Sequence, residues 1–345
     1  QHRDMLDQVL DYFKVKSDYD LDVMKESQTL AETTHRVLER LTPVLEAERP
    51  DVMLIHGDTA TAGSAALAAY YLRIPCGHVE AGLRTGDKYA PFPEEIMRKI
   101  ADAISDVHFA PTNRSRDNLL NEGIPADGIF VTGNTAVDTL LMTVRPDYRF
   151  VNSTLSRLDF KEKTNILVEV HRRENFGQGM ENIGVALRTI AKDRPDVRLV
   201  VSVHKNPKAR EPIRRHLGDV PSAVLLEPLD YPDYVNLIRR SRLVVSDSGG
   251  IQEEAPTVGV PVVLCREKTE RPEALNAGTL ALVGTDRQLI VDTVLDLLDN
   301  KKRYDDMARA KNPFGDGMAS GRIVRALLFW AGLSPDRPED FVGTV

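Results

Sequence analysis

From residue 51 onward, short runs rich in β-branched and aromatic residues alternate with longer stretches of helical periodicity. This alternation constrains the fold more than any other feature, because parallel strands need a crossover between them and that crossover is usually a helix. Residues 51–55, 76–79, 107–109 and 129–131 read as strands, with helices over 60–72, 93–104, 112–121 and 135–143. A polar, proline-containing stretch over 145–163 breaks the rhythm. It resumes with strands near 165–170, 197–202, 223–226, 242–246, 261–264 and 279–283. The pattern predicts two Rossmann-like, doubly wound α/β domains facing a cleft, over 1–147 and 148–322. An apolar helix pattern over 323–331 follows the second half. The segment 323–345 is therefore expected to cross back and pack on the first domain.

The length of 345 residues suits two domains at about 150 residues each. A net charge of −7 argues against a nucleic-acid partner, although a local basic pocket can still hold one small anion. No apolar run approaches the ~18 residues of a membrane helix, so no membrane partner is expected. The two cysteines, Cys76 and Cys265, each lie in an apolar stretch and read as core packing, with no disulfide framework or zinc site. The N-terminal sequence lacks a secretion-signal pattern, which makes the cytoplasm the default location.

Ligands of open α/β sheets bind beyond the carboxyl ends of the strands, and chemistry-bearing residues cluster there in this sequence. In Asp247-Ser248-Gly249-Gly250 a strand enters a glycine pair and opens a helix, leaving backbone N–H groups for a diphosphate. Glu254, further along that helix, is placed to accept from a ribose diol. A capped helix with a tight turn explains the same residues without a ligand. His171 stands beside Arg172 and Arg173, groups suited to an oxyanion, or alternatively to capping the next helix. His204 and Arg271 have similar placements, and each reads equally as structural. In the first half, Asp58, Glu80 and Glu94 are three carboxylates near loops, with His78 and Arg84 close in sequence. Acids held in different environments are what proton transfer requires, though each alone is more often a cap or an ion pair. No metal-ligand spacing and no Ser-His-Asp nucleophile elbow is present.

Taken together, His56-Gly57-Asp58-Thr59, the run 78–86 (HVEAGLRTG), Pro91-Phe92-Pro93-Glu94-Glu95, His171-Arg172-Arg173-Glu174-Asn175, the run 247–256 and Thr269-Glu270-Arg271-Pro272-Glu273 closely resemble the non-hydrolysing UDP-N-acetylglucosamine 2-epimerases. The resemblance runs from residue 1 to about 325. It implies a GT-B-like pair of domains, a cytoplasmic homodimer, and interconversion of UDP-GlcNAc and UDP-ManNAc for surface polysaccharide synthesis. The route implied is elimination of UDP to a 2-acetamidoglucal followed by re-addition, without nicotinamide or metal. Carried over by position, the catalytic acids fall on Asp58, Glu80 and Glu94, and the UDP-side histidine on His171. The UDP clamp falls on Ser248, Gly249, Gly250, Glu254 and Arg271, and the uracil region on Leu229 and Tyr234. A regulatory UDP-GlcNAc site would include Gln1, Arg172 and His204, with Glu94 near its boundary.

The sequence departs from the family pattern in three places. The usual first strand and helix, with a Thr-Arg-Pro-Glu loop, do not precede Gln1, so the first domain is expected to lack them. Asp4 stands where regulated relatives often carry Gln or Glu, and Glu169 where a small or hydroxyl residue is usual. The alternatives are a UDP-sugar glycosyltransferase, a hydrolysing 2-epimerase, or a non-catalytic nucleotide-sugar-binding regulator.

Overall fold

The computed structural model describes residues 3–25 and 27–343. In chain order its helices and strands are α1 (Arg3–Phe13), α2 (Leu30–Glu48), β1 (Met53–His56), α3 (Ala60–Tyr71), β2 (Cys76–Val79), α4 (Glu94–Ile104), β3 (Val107–Ala110), α5 (Asn113–Asn121), β4 (Ile129–Val131) and α6 (Thr135–Thr143). They continue with β5 (Thr164–Glu169), α7 (Gln178–Asp193), β6 (Val197–Ser202), α8 (Pro207–Leu217), β7 (Ala223–Leu226), α9 (Tyr231–Arg239), β8 (Leu243–Ser246), α10 (Ile251–Thr257), β9 (Val262–Leu264) and α11 (Pro272–Asn276). The last are β10 (Leu280–Leu282), α12 (Arg287–Asp299), α13 (Lys301–Arg309) and α14 (Ala319–Trp330).

Two compact units result. Among the described residues the first comprises those up to 135 with 317–343, and the second comprises 136–316. The sequence reading set the boundary at 147, but α6 packs with the second unit. Its Val137 is buried in one cluster with Phe150, Leu155 and Leu237, and Asn236 Nδ2 donates to the Thr143 carbonyl. Asn236 Oδ1 also accepts from the Arg145 N–H, so the second unit's polar contacts begin before the expected linker. The other edge falls at Gly317 instead of 323, because α14 starts at Ala319.

The first unit holds a parallel four-stranded sheet, ordered β1-β2-β3-β4. α3 is alanine-rich on its buried positions, which lets α2 and α4 pack closely on it. A Cβ added at Gly63 would come within 2.9 Å of Met97 Sδ. Ile323 and Ala326 of α14 are buried with Val107, Phe109 and Phe130. The chain beyond α14 runs along β4: Phe341 N–H donates to Val131 O at 2.7 Å, and Asp340 Oδ1 accepts from Val131 N–H at 2.9 Å.

In the second unit six parallel strands are ordered β10-β9-β8-β5-β6-β7, the Rossmann order in which the chain leaves β5 to one side and returns to β8 on the other. Side-chain alternation buries both faces. Ile166 and Val168 join Met180, Ile183 and Leu187 on one side, while Leu167 joins Phe150, Val244 and Phe314 on the other. The point where strand order reverses, between β5 and β8, is where such a sheet opens a crevice at its carboxyl edge. Among the described residues no helix is long and apolar enough to cross a membrane.

Candidate active site

In the first unit the expected carboxylates stand at the ends of β1 and β2 and at the start of α4. Asp58 follows β1, and its Oδ2 lies 2.5 Å from an Arg98 guanidinium nitrogen. The same guanidinium lies 3.1 Å from Glu95, whose carboxylate also accepts the backbone N–H groups of Thr85 and Gly86. Arg98 thus ties the β1–α3 turn to α4, and Glu95 ties the loop after β2 to the same helix. Glu94 lies one turn before Arg98, and its Oε2 is buried with no hydrogen-bond partner among the described residues. Glu80 takes a left-handed φ of 68°, an unfavourable conformation for a residue with a Cβ. Its Oε1 accepts from Asn134 Nδ2 at 3.1 Å, and its Oε2 is 3.9 Å from His56 Nε2. A Cβ added at Gly57 would lie 3.1 Å from Glu80 Oε2, so the Glu80 carboxylate lies against the residue that precedes Asp58.

Beneath these acids lies a buried polar chain. His78 is fully buried, with Nδ1 2.5 Å from Asp102 Oδ1 and Nε2 2.8 Å from the Gly57 carbonyl. A carbonyl and a carboxylate only accept, so both ring nitrogens are called on to donate. Burial opposes the imidazolium, but the Asp102 charge and the two hydrogen bonds outweigh it and raise the His78 pKa. Asp102 is also 2.7 Å from Arg84, which in turn pairs with Glu122. Burial favours the neutral acid, yet His78 and Arg84 together hold Asp102 below the usual carboxylate range.

The second unit's candidates gather at the β5/β8 switch. Asp247 is fully buried at the end of β8, and its carboxylate accepts the N–H groups of His171 and Arg172 and the Asn175 amide. These bonds fix the turn after β5. The His171 ring stacks on His204, with centroids 5.1 Å apart and planes 24° apart. His171 Nδ1 and Arg172 Nε are buried, and neither has a hydrogen-bond partner among the described residues. A Cβ added at Gly249 would lie 3.0 Å from an Arg172 nitrogen, 3.0 Å from Glu270 Oε1 and 3.1 Å from Arg271 Nη1, so the missing side chain gives these charged groups room to converge. Arg271 pairs with Glu253 and Glu270, and Arg266 pairs with Glu270 and Glu174. Burial would raise the Glu270 pKa, but Arg271 and Arg266 hold it down to about 2.

Gly250 caps α10, and Glu254 lies on that helix beyond Ser248. Burial, with Glu169 and Glu253 nearby, pushes the Glu254 pKa up to about 8. Tyr234 and Leu229 pack together against the apolar cluster of the sheet's second face. The structure therefore brings Arg172 and His204, expected at a regulatory site, into one group with His171. Gln1 lies outside the described residues.

Four contributors escaped the sequence reading as site residues: Arg98, Glu95, Asp102 and Glu169. The first three share a signal, since they recur on α4 at the i, i+3, i+7 spacing that ordinarily marks an apolar core face. A charged stripe at that spacing has to be buried against other charges.

These features define a protein of parallel α/β units with charged groups gathered at one sheet's switch point. The family model for UDP-N-acetylglucosamine 2-epimerase matches residues 1–328, and the chain belongs to that family. The UDP-N-acetylglucosamine 2-epimerase of Bacillus subtilis is 50% identical over 343 residues, 99% of this chain and 89% of that one. The enzyme of the same name from Yersinia pestis is 51% identical over 333 residues, 95% of this chain and 88% of that one. The crystal structure of the Neisseria meningitidis UDP-GlcNAc 2-epimerase bound to UDP-GlcNAc superposes with a TM-score of 0.88 at 45% identity, covering 95% of this chain and 90% of that one.

Proposed function

We propose that the chain interconverts UDP-GlcNAc and UDP-ManNAc by eliminating UDP to a 2-acetamidoglucal and re-adding it with the opposite configuration at C2. The observation that carries this reading is the convergence of Arg172 and Arg271 on the Cβ-less Gly249, with Arg172 Nε and His171 Nδ1 buried and without a hydrogen-bond partner among the described residues. Buried donors of this kind stabilise an anion strongly, because little solvent screens them. The departing UDP is such an anion. Ser248, Gly249, Gly250 and Arg271 hold its diphosphate, Glu254 accepts from the ribose, and Leu229 and Tyr234 line the uracil. His171 donates to the leaving phosphate oxygen.

At the sugar, one proton leaves C2 as the C1–O bond to UDP breaks, and one returns to C2 on the other face as that bond re-forms. Asp58, Glu80 and Glu94 share the removal and return of that proton and the steadying of developing positive charge on the ring. Arg172 and His204 also suit a second UDP-GlcNAc molecule with a regulatory role, and the family resemblance supports a cytoplasmic homodimer feeding polysaccharide synthesis.

The test is incubation with UDP-GlcNAc and no acceptor. The expected product is UDP-ManNAc. Free ManNAc with UDP would mark a hydrolysing enzyme, turnover only after an acceptor is added would mark a transferase, and binding without turnover would mark a regulator.

A further inference from the structure

Glu169 closes β5 directly before the His171 turn, in register with Ser246 of β8, which puts a carboxylate at the switch point of the second sheet. A further acid among groups that gather an anion is chemically discordant, and this is also one of the positions where the sequence departs from the family pattern. Its side chain is about one-fifth exposed, at 22%. Tyr234 Oη donates to Oε2 at 2.6 Å, and Oε1 stands 3.9 Å from His171 Nδ1, so one carboxylate reaches from the uracil-side tyrosine to the phosphate-side histidine.

The charged and titratable groups around it come from four elements. They are His171 and Arg172 on its own turn, Tyr234 on α9, Asp247 after β8, and Glu254 on α10. Asp247 adds like charge beside Glu169, and Arg271 is committed to two other carboxylates, so neither neutralises it.

We propose that Glu169 is a proton-taking residue of the nucleotide site, so that binding of a nucleoside diphosphate is coupled to protonation of its carboxylate. This inference rests on the nucleotide reading given above. A diphosphate brought beside His171 and Arg172 adds negative charge next to Glu169, and like charges in a poorly solvated site favour the neutral acid. Burial already favours that neutral form, and His171 and the Tyr234 hydrogen bond only partly offset it. In the balance, one proton passes from solvent to Glu169 when the nucleotide binds and returns when it leaves. The neutral acid also gains an O–H to donate. Glu169 therefore weakens nucleotide binding where it must stay ionised, and favours release as pH rises.

The experiment is calorimetric titration of UDP into the full chain, in buffers of different ionisation enthalpy and at pH values from ~6 to ~8, with the Glu169→Gln and Glu169→Thr variants alongside. Proton uptake by His204 or the nucleotide itself is common to all three proteins and cancels in the comparison. The expected result is net proton uptake in the unaltered chain, with affinity falling as much as about tenfold per pH unit. Both variants should show reduced uptake, a flatter pH dependence and tighter binding at the high end. Equal uptake in all three proteins overturns the proposal while leaving the nucleotide reading intact. A change in Glu169→Thr but not in Glu169→Gln also overturns it, showing that Glu169 merely supports Tyr234. UDP that binds none of the three overturns the nucleotide reading, and this inference with it.

Discussion

Arg98 joins two of the first unit's carboxylates, because a single guanidinium pairs with Asp58 at 2.5 Å and with the buried Glu95 at 3.1 Å. Removing it strands an acid that also holds two backbone N–H groups. Arg98→Ala should therefore lower unfolding free energy by about 3 kcal/mol, read from urea denaturation, and lower turnover as well, since breaking a buried pair leaves an uncompensated charge. A loss below about 0.5 kcal/mol would mean that Asp58 and Glu95 find other partners.

The His78–Asp102 pair makes a second prediction, with a sign. A histidine whose folded pKa is raised contributes stability that is complete below its ordinary pKa and is lost as pH rises through the folded value. Asp102, lowered, contributes stability that is complete above its ordinary pKa and is lost only as pH falls through the depressed one. Stability should thus hold between those two limits and decline on the alkaline side as His78 loses its proton. In Asp102→Asn the imidazole has no counter-charge, so the variant should be less stable near neutrality and show no such alkaline decline. Parallel pH slopes for the two proteins would show that the pair does not titrate as a unit.

At the level of elements, Gly249 is constrained more by the chain's folding than by its own backbone. β8 delivers it next to the turn after β5, which Asp247 has already fixed, and Arg172, Glu270 and Arg271 close on it. Gly249→Ala should cost at least about tenfold in UDP affinity by calorimetry, equivalent to about 1.4 kcal/mol, because the arginines must move apart to admit the methyl group. Those contacts are the far ends of flexible side chains, so the melting temperature should move little. A large loss of stability would instead place the strain in the backbone.

The strands and helices around this point were legible in the sequence because parallel strands buried on both faces read as short apolar runs between turn residues. Thus β6 and β7 fall on the expected 197–202 and 223–226. The assignment of α6 was not legible. Its 135–143 pattern shows that a helix forms, while its partners Phe150, Leu155 and Asn236 are distant in sequence. At the site, Asp58, Glu80, His171 and Ser248 stood out because each follows a strand. Asp102 did not, since a buried acid is recognisable only through the partners that folding supplies, and Glu169 showed only as a departure from the family pattern.

For the whole molecule, the proposed chemistry divides the labour by charge. The second unit offers buried donors to an anion, and the first offers carboxylates to a carbon acid and a developing cation. A reaction that inverts C2 by elimination must release that carbon's hydrogen as a proton, and the proton must come back from the other face. Two separately held acids do this more readily than one, and the structure holds Asp58 and Glu80 differently: Asp58 is paired with an arginine, whereas Glu80 sits on a strained backbone with an amide and a histidine beside it. An acid that exchanges with solvent between the two steps carries solvent hydrogen to the product. In deuterated water, UDP-ManNAc formed from unlabelled UDP-GlcNAc should therefore carry deuterium at C2, seen as loss of the C2 proton resonance and a gain of one mass unit. Replacing Asp58, Glu80 or Glu94 singly by its amide should reduce turnover by about 10²-fold or more, the usual contribution of general acid–base groups. Product that keeps its original hydrogen at C2 would rule out elimination and re-addition. It would require instead a route in which the C2–H bond never opens to solvent.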